Sequence, residues 1–222
     1  MSNKTALVLG GSGLIGSHCL HYLLNDEYYA QVEILVRRPL AIEHPKLIQH
    51  EINFDDLKNV LSKIKANDVY CCLGTTIKKA KSKTAFRTVD YTYPVEIAKL
   101  CLANGADQFL LVTALGANPK SSIFYNCVKG EVEESISKLD FKGVYIFRPS
   151  LLLGKRQESR PSEELTQKLF QWFSFGFKGP IKKYKPVEAK AVAFAMIQNA
   201  KTQHLGQQII ESSQIQAIYD KR

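Results

Sequence analysis

An α/β fold, a doubly wound parallel sheet with helices on both faces, is predicted by three features of this 222-residue chain. Short Val/Ile/Leu-rich runs alternate with longer amphipathic stretches, which is the order of βαβ units. Several of those runs are almost continuously apolar, as strands buried on both faces must be. A glycine-rich turn, Gly10-Gly11-Ser12-Gly13-Leu14-Ile15-Gly16, joins the first apolar run to the first amphipathic one.

The elements follow in order. Residues 5–10 form the first core strand; their apolar run is too short, and too soon followed by glycines, to be a secretory signal. Residues 14–25 are the first helix, and 31–36 a strand that ends on paired arginines. A strand at 47–53 and a helix at 55–64 lead to the strand 68–73. The helix 84–104 is closed by Asn104-Gly105, a C-cap pair. Strand 108–114, helix 123–139 and strand 144–148 complete the pattern, and two more helices are expected at 162–173 and 187–200. There is no repeat, linker or low-complexity tract, so residues 1–222 read as one domain, with about 160–222 contributing a short C-terminal substrate region.

Composition narrows the function classes. No apolar run is long enough to cross a bilayer. Five cysteines lie in apolar segments with no CxxC pair, which indicates reduced thiols and a cytoplasmic location. The net charge of +9 fits nucleic acid or anionic lipid, or else a phosphorylated cofactor beside a solvated basic face. No basic block reaches the length of an interaction tail, which favours the second account and no nucleic-acid partner. The five histidines lack ligand spacing, so no metal is expected.

The glycine turn fits both GxGxxG (Gly11, Gly13, Gly16) and GxxGxxG (Gly10, Gly13, Gly16). At a strand–helix junction such glycines allow a tight turn and close approach of a pyrophosphate to the helix N-terminus. This is the start of a Rossmann-type sheet. The tip of the second strand then selects the cofactor. NAD sites place an acid there for the ribose 2′-OH, whereas this chain has Arg37-Arg38, with Glu33 back inside the strand. Two guanidiniums suit a 2′-phosphate through charged, bidentate bonds. NADP(H) is the expected cofactor.

Tyr125 and Lys129 stand four residues apart, on one face of the helix 123–139. In reductase chemistry a phenol passes the substrate proton, and a nearby cation lowers a phenol's pKa from about 10. Thr113, at the end of the fifth strand, is the candidate to polarise a carbonyl. The alternative is a plain helix pair between Lys129 and Glu133.

Beyond these motifs the chain resembles the atypical short-chain dehydrogenases/reductases, in their Tat-interacting, tumour-suppressor-type oxidoreductase branch. The resemblance runs from about residue 5 to about 164. It rests on Cys71-Cys72-Leu73-Gly74-Thr75-Thr76, on Lys129-Gly130-Glu131-Val132-Glu133, and on Phe147-Arg148-Pro149 followed by Arg156-Gln157-Glu158-Ser159-Arg160-Pro161. It implies Ser12, Gly13, Leu14 and Ile15 at the phosphates and Arg37 and Arg38 at the 2′-phosphate. Asn53 and Phe54 would lie near adenine, Leu73 and Gly74 near ribose, Leu152 at the nicotinamide and Arg160 at the phosphates. It also makes Tyr125 the catalytic tyrosine and Lys129 its partner. Two departures stand out: Asn53 replaces an acid, and Thr113-Ala114 keeps one hydroxyl where relatives often carry two.

The expected function is an NADP(H)-dependent oxidoreductase that reduces a small carbonyl or enone-like substrate. The alternative is a non-catalytic NADP(H)-binding regulator acting through a protein partner. Lys78, Lys79, Lys81 and Lys83 could steer an anionic substrate or simply be solvated. Phe170, Trp172, Phe173, Phe175 and Phe177 could line an apolar pocket or cover the core.

Overall fold

The computed structural model describes residues 4–53, 56–154 and 185–222. Its strands are β1 (Lys4–Leu9), β2 (Tyr29–Val36), β3 (Leu47–Glu51), β4 (Asp68–Cys71), β5 (Gln108–Val112), β6 (Gly143–Arg148), β7 (Leu152–Leu153), β8 (Val187–Glu188) and β9 (Gly206–Glu211). The helices are α1 (Leu14–Leu24), α2 (Leu57–Leu61), α3 (Ile77–Ala80), α4 (Lys83–Arg87), α5 (Tyr93–Ala103), α6 (Phe124–Ser137), α7 (Ala189–Thr202) and α8 (Ser212–Asp220). A π turn, Thr88–Thr92, joins α4 to α5.

Seven strands form one sheet in the order β3-β2-β1-β4-β5-β6-β9, and every neighbouring pair is parallel. This is the expected Rossmann-type architecture. Strand alternation builds its two layers. Ala6 and Val8 of β1, with Leu110 and Val112 of β5, pack against α1, α7 and α8. Leu7 and Leu9, with Phe109 and Leu111, pack against α2, α5 and α6. Each large apolar side chain buried in these layers stabilises the fold by about 1.5–3 kcal/mol relative to exposure. Chain order reverses across β1 and β4, so the crevice for a ligand opens beyond the carboxyl ends of these two strands.

The structure departs from expectation at several places. The helix expected over 55–64 is only α2: Ser62 turns its hydroxyl onto the Asn59 carbonyl at 2.7 Å, and the chain tightens into i→i+3 bonds from Lys63 to Val60 and from Ile64 to Leu61. The helix expected over 84–104 starts at Lys83 and widens into the π turn. Finally, β9 and α8 are additions, and β9 pairs with β6 along its whole length. Residues 189–220 therefore complete the sheet and one helical layer. The helix expected at 162–173 and the five aromatic residues near it lie outside the described residues.

At the amino ends of the strands sits a buried polar cluster. The Tyr29 hydroxyl donates to Asp68 Oδ2 at 2.7 Å and lies 2.7 Å from the Tyr70 hydroxyl, while Gln108 donates to Asp68 Oδ1 at 2.7 Å. Burial raises the Asp68 carboxyl above its ordinary value, partly opposed by the Tyr29 and Gln108 bonds and by Lys4. A carboxyl raised in the folded state contributes stability below its unfolded pKa of about 4 that is lost as pH rises through the folded value. Asp68→Asn should remove that decline. Urea unfolding of both proteins at pH 4, 5, 6 and 7 measures it, and a variant with the wild-type slope would refute the assignment.

Candidate functional site

The carboxyl ends of β1 to β5 gather the site. Gly10 leaves β1 with φ +77°, and a Cβ there would lie 2.8 Å from the Cys72 carbonyl oxygen, so only glycine lets the loops after β1 and β4 meet. Gly16, in the first turn of α1, is held still closer: a Cβ would lie 2.0 Å from the Gly10 carbonyl oxygen. Gly13 precedes α1 in extended conformation, without a side-chain cap and with no acid in the first turn. Ser12 and Gly13 are exposed, Leu14 is half-buried and Ile15 is buried. The amide N–H groups that open α1 thus have no carboxylate in their own turn, and backbone hugs backbone where a Cβ would intrude. A pyrophosphate fits this cradle.

Around the cradle, Arg37 and Arg38 follow β2 directly and are exposed, and no hydrogen bond or ion pair joins them to other described residues. Glu33, the only acid of β2, is occupied: His50 Nε2 lies 2.6 Å from Oε2 and Gln31 donates to Oε1 at 2.7 Å. Asn53 is exposed beyond β3, and its carbonyl accepts from Asp56 N–H at 3.0 Å. Leu73 and Gly74 follow β4. Leu152 lies in β7, half-buried against the α1–α7 layer. Gly154, two residues on, presses on Leu14, since a Cβ there would lie 2.8 Å from Leu14 Cδ1. Phe54 and Arg160 lie outside the described residues.

Helix α6 brings in the phenol and the ammonium. The Tyr125 ring packs on Phe86 with centroids 5.6 Å apart; its hydroxyl bonds to no other described residue. Lys129, one turn on, is buried, with Nζ 2.8 Å from Asp90 Oδ1. Burial alone would lower the lysine, but Asp90, then Tyr125, outweigh it and hold the ammonium above its ordinary value. The helix pair with Glu133 is not formed. Glu133 instead takes Arg148 Nε at 3.0 Å and Nη2 at 2.5 Å, and also the Thr113 hydroxyl at 2.5 Å.

Thr113 is therefore buried and bonded to Glu133, and no hydrogen bond joins its hydroxyl to Tyr125 or Lys129. Ala114, partly exposed beside it, has no hydroxyl to offer. Asp90 and the Glu133–Arg148 pair are the elements that spacing did not reveal. The lysines at 78, 79, 81 and 83 stand exposed on α3 and the start of α4, beside the same sheet edge. All five cysteines are free, and burial pushes the thiols of Cys71 and Cys101 up to about 12. Such thiols stay protonated and inert. No helix among the described residues is long and apolar enough to cross a membrane.

Residues 10–138 match the family model described as NAD(P)H-binding. The chain is 38% identical over 174 residues to Protein HTATIP2 of Rattus norvegicus, covering 77% of this chain and 72% of that protein. It is 31% identical over 204 residues to Protein FMP52, mitochondrial, of Candida glabrata, covering 90% of this chain and 86% of the relative. That relative is named for a compartment other than the cytoplasm expected from the cysteines. The fold is also that of the UDP-glucuronic acid 4-epimerase from Bacillus cereus in complex with NAD, with TM-score 0.66 and 15% identity, covering 93% of this chain and 77% of the enzyme.

Proposed function

Because the chain belongs to the NAD(P)H-binding family, in the atypical short-chain dehydrogenase/reductase branch near HTATIP2, we propose that it is an NADP(H)-dependent reductase of a small carbonyl or enone-like substrate. The observation that carries this reading is the placement of Tyr125 and Lys129. The phenol has no bond to another described residue, and the ammonium is buried and held charged by Asp90 under the loop after β4.

When bound, the reduced nicotinamide supplies the hydride. Tyr125 passes a proton from its hydroxyl to the substrate oxygen. Lys129 fixes the ribose through its N–H donors and stabilises the phenolate that proton transfer leaves behind. The Gly10–Gly16 cradle and the start of α1 would hold the pyrophosphate, and Leu152 would lie on the nicotinamide side. NADPH oxidation against aldehydes, ketones, quinones and enones tests the activity.

Arg37 and Arg38 account for cofactor choice. Exposed at the tip of β2 with the nearby acid occupied, they offer two guanidiniums to a 2′-phosphate. NADPH should bind at least about tenfold tighter than NADH, roughly 1.4 kcal/mol. Arg37→Ala/Arg38→Ala should erase the difference in calorimetric titrations. Equal wild-type affinities would refute the preference.

One observation favours a second reading. Because Thr113 is locked to Glu133 and Ala114 lacks a hydroxyl, the site has no Ser or Thr at that position to polarise a carbonyl. A protein that binds NADP(H) without turnover, and reports its redox state to a protein partner, needs the cradle and Lys129 but not that hydroxyl.

A further inference from the structure

Besides the ring contacts of Phe86, three polar side-chain pairs fasten the α4–π–α5 segment to α6: Arg87 with Glu131, Asp90 with Lys129, and Tyr91 with Ser135. The first is a half-exposed ion pair, and the third is a hydroxyl contact at 3.1 Å. The middle pair differs from both. The side chains of Asp90 and Lys129 retain 0% and 6% exposure. Burying two ions costs several kcal/mol each, so packing alone gives no reason for charge at this position.

Its location supplies one. The π turn carries Asp90 inward, and π turns recur at functional sites because they re-aim a residue within a helix. Asp90 Oδ2 accepts the Thr75 N–H at 2.9 Å, while among the described residues Oδ1 meets only the ammonium. The carboxylate thus joins the loop after β4 to α6. A Cβ on Gly74 would lie 3.5 Å from Asp90 Oδ1 and 3.7 Å from Lys129 Nζ, so the pair lies directly beneath that exposed glycine. An ammonium has three donors, and no other hydrogen bond or ion pair joins Lys129 Nζ to a described residue.

We infer that Asp90 is a positioning residue for the dinucleotide: it sets the Gly74–Thr75 loop against Lys129 and keeps the buried ammonium charged, its remaining donors turned to the ribose. This rests on the reductase reading of the site. The groups that act on Lys129 are Asp90 from the π turn, Tyr125 from its own helix and Cys71 from β4. The Cys71 thiol stays neutral, being pushed up to about 12. Asp90 is therefore the counter-charge that offsets burial. Without it, desolvation governs and Lys129 loses its proton as pH rises.

The test is NADPH binding by nicotinamide fluorescence on the full chain from about pH 6 to pH 9, with Asp90→Asn and with Glu131→Gln as the control. Asparagine keeps one acceptor oxygen for Thr75, removes the charge, and leaves an NH2 in place of the oxygen that meets the ammonium. The ratio of variant to wild-type affinity cancels titration of the nucleotide itself. Glu131→Gln should follow wild type throughout. Asp90→Asn should bind within a few-fold of wild type at the acid end and fall at least about tenfold below it at the alkaline end, the loss of one charged hydrogen bond. A constant ratio across pH would overturn the inference while leaving the cofactor reading intact. If wild type bound neither NADPH nor NADH, both would fall. Asp90→Asn/Lys129→Met, which removes both buried charges and so folds independently of their pairing, should bind weakly at every pH; wild-type affinity there would also overturn the inference.

Discussion

Tyr125→Phe is expected to lower turnover by about 10²–10⁴-fold, the usual loss on removing a general acid, or about 3–5 kcal/mol of barrier. Folding should hardly change. The ring packs on Phe86, a contact phenylalanine keeps, and the hydroxyl bonds to no other described residue. NADPH affinity should also stay close to wild type, because Lys129 is held by Asp90 and not by the phenol. Lys129→Met should behave differently and weaken binding as well, since it removes the ribose donors and leaves Asp90 buried without a counter-charge. The readouts are single-turnover NADPH oxidation with whichever aldehyde, ketone, quinone or enone wild type reduces, and a thermal melt of each variant. Full activity in Tyr125→Phe would refute the proton-transfer role. Tight NADPH binding without reduction of any substrate in the panel would instead support the regulatory reading, to which the commitment of Thr113 to Glu133 already points.

How far the sequence displays this site depends on the range of each interaction. The strands β1, β4 and β5 are legible because burial on both faces forces near-continuous apolar runs. β9 is not: it lies at the sheet edge, begins with Gly206-Gln207-Gln208, and has Ile210 as its one buried residue. The Gly10–Gly16 cradle, Arg37-Arg38 and the Tyr125–Lys129 spacing are local patterns, each set by one turn or one helix face. Asp90 is invisible to such patterns, because a 3.6-residue period assumes the regular helix that the π turn interrupts. The Glu133 pairing misleads for a related reason. Spacing offers Lys129 as its partner, but Arg148, reaching from β6, binds it with two nitrogens and draws in Thr113. Bidentate geometry outcompetes a helix neighbour worth a few tenths of a kcal/mol. The Thr113 hydroxyl, the candidate by its place at the end of the fifth strand, thus bonds to Glu133.

Gly16→Ala gives the second large effect, and here two terms of opposite sign compete. Gly16 lies inside α1, where alanine is favoured over glycine by about 1 kcal/mol. Against that, the new Cβ would stand 2.0 Å from the Gly10 carbonyl oxygen, 2.7 Å from its carbon and 3.1 Å from Gly11 Cα. All three are backbone atoms of the turn that forms the phosphate cradle, so no side chain can swing aside. Relief requires α1 to lift off β1. That breaks the close helix–strand packing and displaces the amides facing the pyrophosphate. Overpacking commonly costs about 1–3 kcal/mol and more where the backbone must move, so the clash outweighs the propensity gain. A net loss near 3 kcal/mol would lower Tm by about 6–12 °C in a chain of this size. Gly11→Ala is the matched control: it adds the same methyl to the same turn, but its Cβ meets Ile34 at 3.8 Å and Leu20 at 3.9 Å, ordinary contact distances. Thermal melts with and without NADPH separate the two positions. Gly16→Ala should melt well below Gly11→Ala and gain little from NADPH, because its cradle is displaced. If both variants melted together and were stabilised alike by NADPH, the backbone contact at Gly16 would not be what shapes the binding turn.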